Sequence, residues 1–140
     1  MPQHIIVVDY DPCWAAKYDA EKDKITAVLK DNCVGIWHIG STAVQGLAAK
    51  PVIDIMAAVK SLKEVDCAAK AFREAGYDYL GAFGIAGRRY QSKGGDERRL
   101  QLPIFAAEDK QNIQRHIAVR AYLRRHKEAR GEDAAYTKRL

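Results

Sequence analysis

The sequence predicts an α+β domain with an α/β-like layout, in which a mixed β-sheet is flanked by helices. Two observations lead to this class. Strand-like and helical segments interleave in the first half of the chain, and a strand-rich segment followed by basic helices makes up the second half. The chain has 140 residues, of which 48% are apolar and 29% are charged. These values match one folded domain, which we expect to span residues 1–140.

The first half of the chain predicts three strands and one long helix. The apolar run at residues 5–8 predicts a short strand, and Asp11 followed by Pro12 then predicts the start of a helix over about residues 12–30. Alternation at residues 33–39 predicts a second strand. The β-branched apolar run at residues 50–59 predicts a third strand, which suits the centre of a sheet.

The second half predicts a capped helix, three strands and a basic helix. Ser61 and Glu64 form a capping box for a helix that ends at Gly76. The segments GYDYL, RRYQSK and RLQLPIF then read as strands joined by glycine-rich turns. A basic helix follows from Asp109 to about residue 127, and another helical segment reaches the end of the chain.

Charge and cysteine content indicate which binding partners and which cellular compartment to expect. The formal charge is +5, and basic residues crowd the second half of the chain. Solvated helix faces are the favoured interpretation, because no known nucleic-acid-binding motif accompanies these residues; a steep salt dependence would identify nucleic-acid binding instead. The three cysteines form no CxxC pair, and no apolar run is long enough for a signal peptide or a membrane span. We therefore expect a cytoplasmic protein without membrane contact.

The segment HIGSTAVQGLAAKPVIDI, residues 38–55, carries the residues that point to chemistry. Gly40 and Ser41 follow a predicted strand, where a glycine lets the backbone approach a ligand and a hydroxyl can face phosphate oxygens. Asp54 on the next strand could hold Mg²⁺ against those phosphates. The alternative for the turn is purely structural, because Ser41 and Thr42 could cap a short helix at about residues 42–47.

This eighteen-residue segment resembles the signature of the GrpB family, also known as UPF0157, and VVDYDPCW and RHIAVRAYLRRH extend the resemblance over nearly the whole chain. The resemblance implies a nucleotidyltransferase-like fold with the Gly-Ser turn and the aspartate on adjacent strands. It implies Mg²⁺ and a nucleoside triphosphate as ligands, with Gly40, Ser41 and Thr42 at the phosphates and Asp54 at the metal. Because relatives are usually longer, we expect a C-terminal helix to be missing after Leu140.

Two positions depart from the pattern of active nucleotidyltransferases. Those enzymes carry a second carboxylate two residues after the first, and this chain has Met56 there. A third carboxylate comes from a later strand, and the candidate strand here presents Arg99 and Gln101. Two functions therefore stay open: transfer of a nucleotidyl or other phosphate-containing group from a nucleoside triphosphate, and a catalytically inactive domain that binds a nucleotide or a partner.

His38 and Lys50 each allow two interpretations. His38 is a catalytic candidate that could pair with Asp54 or bind a metal with it, or it is a hydrogen-bonded histidine at a strand end. Lys50 could reach a phosphate or point to solvent. The sequence leaves both choices open.

Overall fold

The computed structural model describes residues 7–47, 49, 51–81, 87–94 and 99–125. Its helices and strands are, in chain order, α1 (Cys13–Leu29), β1 (Cys33–Ile39), β2 (Ile53–Val59), α2 (Leu62–Cys67), α3 (Ala69–Glu74), β3 (Asp78–Tyr79), β4 (Arg88–Lys93), β5 (Leu100–Ala106) and α4 (Lys110–Arg125). Within these ranges no helix combines the length and the hydropathy needed to cross a lipid bilayer. The predicted α+β class is confirmed.

The five strands form one mixed sheet in the order β1-β2-β5-β4-β3. β2 and β5 are parallel, and the other neighbouring pairs are antiparallel. β2 lies between β1 and β5, and its apolar side chains are buried on both faces of the sheet. The register pairs Asp54 of β2 with Ile39 of β1 on one side and with Gln101 of β5 on the other.

Helices cover both faces of the sheet. The first face carries Ile55 and Leu102 and packs against α1, α2 and α3 through residues such as Ile25 and Phe72. The second face carries a smaller cluster under α4, made of Ile39, Met56, Ala58, Phe105 and Ile113. Because side chains alternate along a strand, Asp54 points to the same face as Met56, on the α4 side.

Two predicted elements around the Gly-Ser turn differ in extent from the observed ones. The strand predicted at residues 50–59 begins only at Ile53, because Pro51 has no N–H to donate to a neighbouring strand. The short helix predicted at residues 42–47 is a single 3₁₀ turn, Ser41–Ala43. Gly46 has a φ of +84°, which a right-handed helix cannot contain.

The predicted strand at residues 5–8 lies partly outside the described residues, and so does the helical segment predicted to reach the end of the chain. Val8 forms an isolated bridge with Ala49, in which each backbone N–H donates to the other residue's carbonyl at 2.9 Å. This bridge ties the residues before α1 to the residues before β2.

A buried carboxylate anchors α1 to the sheet. Lys93 of β4 donates to Glu21 Oε1 at 2.5 Å, and the hydroxyl of Tyr77 donates to the same oxygen at 2.8 Å. Burial raises the pKa of the Glu21 carboxyl, but the hydrogen bonds from Lys93 and Tyr77 outweigh burial and hold it below its usual value. The anchor fixes the helix that places Tyr18 beside β1.

Candidate functional site

The Gly-Ser turn follows the end of β1 directly. Gly40 has a φ of +74° and a ψ of −174°, a backbone conformation that is essentially restricted to glycine. It leads into the 3₁₀ turn, which is closed by the Ala43 N–H donating to the Gly40 carbonyl at 3.2 Å. The Asp54 carboxylate occupies the space that a Cβ at Gly40 would fill, with its Oδ2 nearest. The missing side chain at Gly40 therefore lets the aspartate approach the turn.

A small cavity opens between the turn and the two central strands. It has a volume of about 150 Å³ and is lined by Ser41, Thr42, Val52, Asp54 and Gln101. Pockets for drug-sized ligands measure roughly 300–1,000 Å³, so this cavity suits a phosphate group or a hydrated ion rather than a whole nucleotide. The structure thus brings three of the predicted site residues, Ser41, Thr42 and Asp54, to one cavity.

The oxygen donors of the cavity are compatible with one Mg²⁺ ion. Asp54 supplies a carboxylate and Gln101 an amide oxygen, and Mg²⁺ in proteins typically keeps several waters while using one or two carboxylates and ligand phosphates. Among the described residues, no group of three or more His, Cys, Asp or Glu side chains is placed to hold a metal. Met56 lies in the hydrophobic cluster under α4 and is fully buried. The donor set does not fit a two-metal centre.

Thr42 connects the turn to the start of β2. Its Oγ1 donates to the Val52 carbonyl at 3.0 Å and lies 3.0 Å from His38 Nε2. Because the threonine hydroxyl has a single proton and donates it to Val52, the His38 Nε2–H is the donor of the second hydrogen bond. The Thr42 hydroxyl is thus engaged within the protein, and Ser41 carries the hydroxyl that can face a ligand.

The side chain of His38 lies on the opposite face of the sheet from Asp54. Its register partner is Ile55, and its ring stacks on Tyr18 of α1 at 4.8 Å between centroids and 13° between planes. The structure does not bring the His38 and Asp54 side chains together, and the contacts of His38 match the interpretation as a hydrogen-bonded histidine at a strand end. Lys50, the remaining predicted site residue, lies outside the described residues.

Burial and nearby cations keep His38 neutral. Burial is the larger cause, and Arg120 and Arg124 add to it, so that the pKa of His38 falls to about 4. The neutral ring suits the arrangement with Thr42, in which Nε2 carries the proton and Nδ1 does not. His38 is therefore uncharged at neutral pH.

We expect the stability of the protein to fall as the pH is lowered from about 6.5 to about 4. In this window the unfolded chain binds a proton on His38 and the folded protein does not, so acid favours the unfolded state. Because the ring is partly exposed, we expect an effect of about 1–2 kcal/mol. Urea unfolding at pH 7 and pH 4.5, in the wild type and in His38→Gln, measures it.

His116 is present in both proteins, and its pKa is also lowered, so the difference between them isolates His38. The amide of the glutamine can still donate to Thr42 but does not titrate. Equal pH dependence in the two proteins would contradict the assignment.

Two arginines of α4 contact the same segment, and the sequence interpretation missed them. Arg120 Nη1 donates to the His38 carbonyl at 3.0 Å, and Arg124 Nη2 donates to the Ala43 carbonyl at 3.2 Å. From the other side of β1, the Tyr18 hydroxyl donates to the Ile36 carbonyl at 3.4 Å. The four-residue spacing of the arginines within RHIAVRAYLRRH was the available signal, because residues four apart share one helix face.

Comparison with known proteins yields consistent matches. Residues 4–140 match the protein family described as GrpB protein. The chain is 36% identical over 134 residues to the UPF0157 protein YqkA of Bacillus subtilis (strain 168), and 32% identical over 123 residues to the glutamate-rich protein GrpB of Alkalihalophilus pseudofirmus. The fold superposes with a TM-score of 0.90 on the crystal structure of conserved protein GrpB from Enterococcus faecalis, at 38% identity.

The matched regions cover most of this chain and differing shares of its relatives. They span 96% of this chain against the Bacillus protein, 85% against the Alkalihalophilus protein and 93% against the Enterococcus structure. In the other direction, the chain spans 39%, 71% and 79% of those proteins. The match thus includes the Gly-Ser turn, the central strands and α4 together.

Proposed function

The chain belongs to the GrpB family, and from that premise we propose that it is a nucleotidyltransferase-like domain that binds the phosphates of a nucleoside triphosphate together with Mg²⁺. The observation that carries the proposal is the shared cavity of Ser41, Asp54 and Gln101 beside Gly40. A hydroxyl donor and a carboxylate are groups that a metal-bound phosphate requires, and Gly40 contributes by admitting the Asp54 carboxylate to the turn.

Each residue has a distinct part in this proposal. The Ser41 hydroxyl would donate to a phosphate oxygen, while Thr42 holds the turn against Val52. Asp54 and Gln101 would hold the metal, which when bound neutralises phosphate charge. A cavity of about 150 Å³ leaves the sugar and the base outside, so we expect weak discrimination among the four bases.

Binding is favoured over group transfer because of Met56. Two-metal transfer needs oxygen ligands at both ions, and a buried thioether is a poor ligand for Mg²⁺. Gln101, which pairs with Asp54 from β5, supplies no charge and cannot act as a general base. Transfer of a nucleotidyl or other phosphate-containing group through a single metal is the second candidate, supported by the family fold and by the placement of Ser41 and Asp54.

Calorimetric titration with ATP, GTP, CTP and UTP, each with and without Mg²⁺, tests the proposal. We expect Mg²⁺-dependent binding that weakens at least about tenfold in Asp54→Asn, because the metal loses its charged ligand, and about tenfold in Ser41→Ala. The matched control is Asp78→Asn, which removes an exposed carboxylate from β3 at the far edge of the sheet. This control should bind like the wild type.

The outcomes separate the candidates. If the protein binds none of the four triphosphates, the proposal is wrong. If the affinity is the same with and without Mg²⁺ and is unchanged in Asp54→Asn, Asp54 is not part of the binding site. Release of pyrophosphate from the bound nucleotide would favour transfer over binding.

A further inference from the structure

The C-terminal end of α4 lies against the segment that carries the Gly-Ser pair. Arg120 donates to the carbonyl of His38, and Arg124 donates to the carbonyl of Ala43. These two carbonyls flank residues 39–42, so that one guanidinium lies near each end of the turn that contains Ser41. The four-residue spacing places both arginines on one face of the helix.

The two guanidiniums are close enough to influence each other. Burial and the charge of Arg124 lower the pKa of Arg120, and both arginines lower the pKa of His38. In the described ranges, the ion pairs between side chains involve Lys24, Arg89 and Lys93, and neither Arg120 nor Arg124 takes part in one. Two like charges held together without an ion-pair partner favour the binding of an anion.

Both arginines have donors left for a ligand. A guanidinium carries five N–H groups in a planar fork, and the structure gives each of these two a hydrogen bond to one backbone carbonyl. The remaining N–H groups match phosphate oxygens in geometry and charge. The cavity lined by Ser41 and Asp54 has room for one phosphate, so a chain of phosphates would extend beyond it.

We propose that Arg120 and Arg124 bind the outer phosphates of a polyphosphate ligand whose first phosphate contacts the Ser41 turn. This inference rests on the proposed function. It adds that the site is selective, because the arginines favour triphosphates over monophosphates. Asp54 and the arginines then have complementary roles. The aspartate binds the metal, and the arginines neutralise the negative charge of the phosphates that the metal does not neutralise.

Calorimetry of the full chain with inorganic triphosphate, ATP and AMP, all with Mg²⁺, tests the inference. Arg120→Gln and Arg124→Gln should each weaken triphosphate and ATP binding about tenfold and leave weak AMP binding within about twofold. The matched control is Arg125→Gln, which removes the same charge one residue further along α4. Arg125 is exposed, and its Nε donates back to Ala121 of its own helix, so this variant should bind like the wild type.

A variant that keeps the charge separates ligand binding from a role in closing the turn. Arg124→Lys should recover most of the affinity that Arg124→Gln loses, and thermal unfolding of both variants should match that of Arg125→Gln. Equal loss of binding in Arg124→Lys and Arg124→Gln, with equally lowered melting temperatures, would overturn the inference in favour of a structural role.

The remaining outcomes distinguish this inference from the proposed function. If Asp54→Asn loses ATP while Arg120→Gln and Arg124→Gln bind like Arg125→Gln, the inference is overturned and the proposed function stands. If the wild type binds inorganic triphosphate through Arg124 but binds no nucleotide, the anion site stands and the nucleotide proposal fails. Binding of AMP as tightly as ATP would overturn the assignment of the arginines to the outer phosphates.

Discussion

Replacing Met56 with aspartate should destabilise the protein by about 4 kcal/mol or more, although it would place a second carboxylate two residues after Asp54. Met56 is 0% exposed and belongs to the cluster that contains Ile39, Phe105 and Ile113 under α4. A charge placed there is removed from water among apolar side chains. It also lies two residues from Asp54 on the same strand face, where a second negative charge is repelled.

Urea unfolding of three variants separates the causes of this loss. Met56→Leu nearly conserves volume and should cost less than about 1.5 kcal/mol, and Met56→Asn has the shape of aspartate without its charge. The cost of Met56→Asp should shrink as the pH falls towards 4, because the folded state then accepts a neutral carboxyl group. Equal midpoints for Met56→Asp and Met56→Leu at pH 7 would contradict the burial of this position. Confirmation would mean that this substitution cannot add a second carboxylate beside Asp54 without a large loss of stability.

Gly40→Ala is expected to cost about 2–4 kcal/mol and to displace Asp54. The φ of +74° is unfavourable for alanine by roughly 1–3 kcal/mol. The new Cβ would also meet the Asp54 carboxylate, whose Cγ lies only 3.1 Å from its position. Since the aspartate must move away from the turn, any Mg²⁺-dependent ligand binding should be lost together with stability.

Gly46→Ala is the matched control for this substitution. Gly46 has a similar φ of +84°, but no atom lies within 4 Å of the Cβ that alanine would add. Its cost should therefore come from backbone conformation alone, about 1 kcal/mol. Urea unfolding of the two variants gives, as a difference, the cost of the contact with Asp54 together with that of the more restricted backbone conformation of Gly40. A cost at Gly46 equal to that at Gly40 would show that the close approach of Asp54 adds nothing.

The sequence predicted the elements with strong hydrophobic periodicity. α1 was predicted at about residues 12–30 and is Cys13–Leu29, and β1 has the predicted bounds of residues 33–39. In α1 one side of the helix is buried and the other is exposed, so the period of the pattern identifies a helix. The adjacency of the Gly-Ser turn and Asp54 came from the family resemblance rather than from the pattern.

The contacts that determine which residues meet at the candidate site depend on tertiary structure. His38 and Asp54 lie on adjacent strands, and the register of those strands puts their side chains on opposite faces; a shift of one residue would reverse this. Arg120 contacts a carbonyl 82 residues away in the sequence, and Glu21 accepts a hydrogen bond from a lysine 72 residues away. A local sequence pattern cannot predict contacts between residues so far apart in the chain. For a basic helix face, the local pattern predicts only exposure to solvent.

Side chains of two helices cover the hydrogen-bonding edge of the sheet at β1. β1 is the edge strand of the described sheet, and the carbonyls of Ile36 and His38 accept hydrogen bonds from Tyr18 on one face and from Arg120 on the other. An edge strand with unpaired carbonyls is a template on which a foreign strand can add. A chain that paired with β1 would have to displace both side chains, and the opposite edge, β3, has only two residues. Tyr18 and Arg120 therefore cover the carbonyls at which a foreign strand would add to β1.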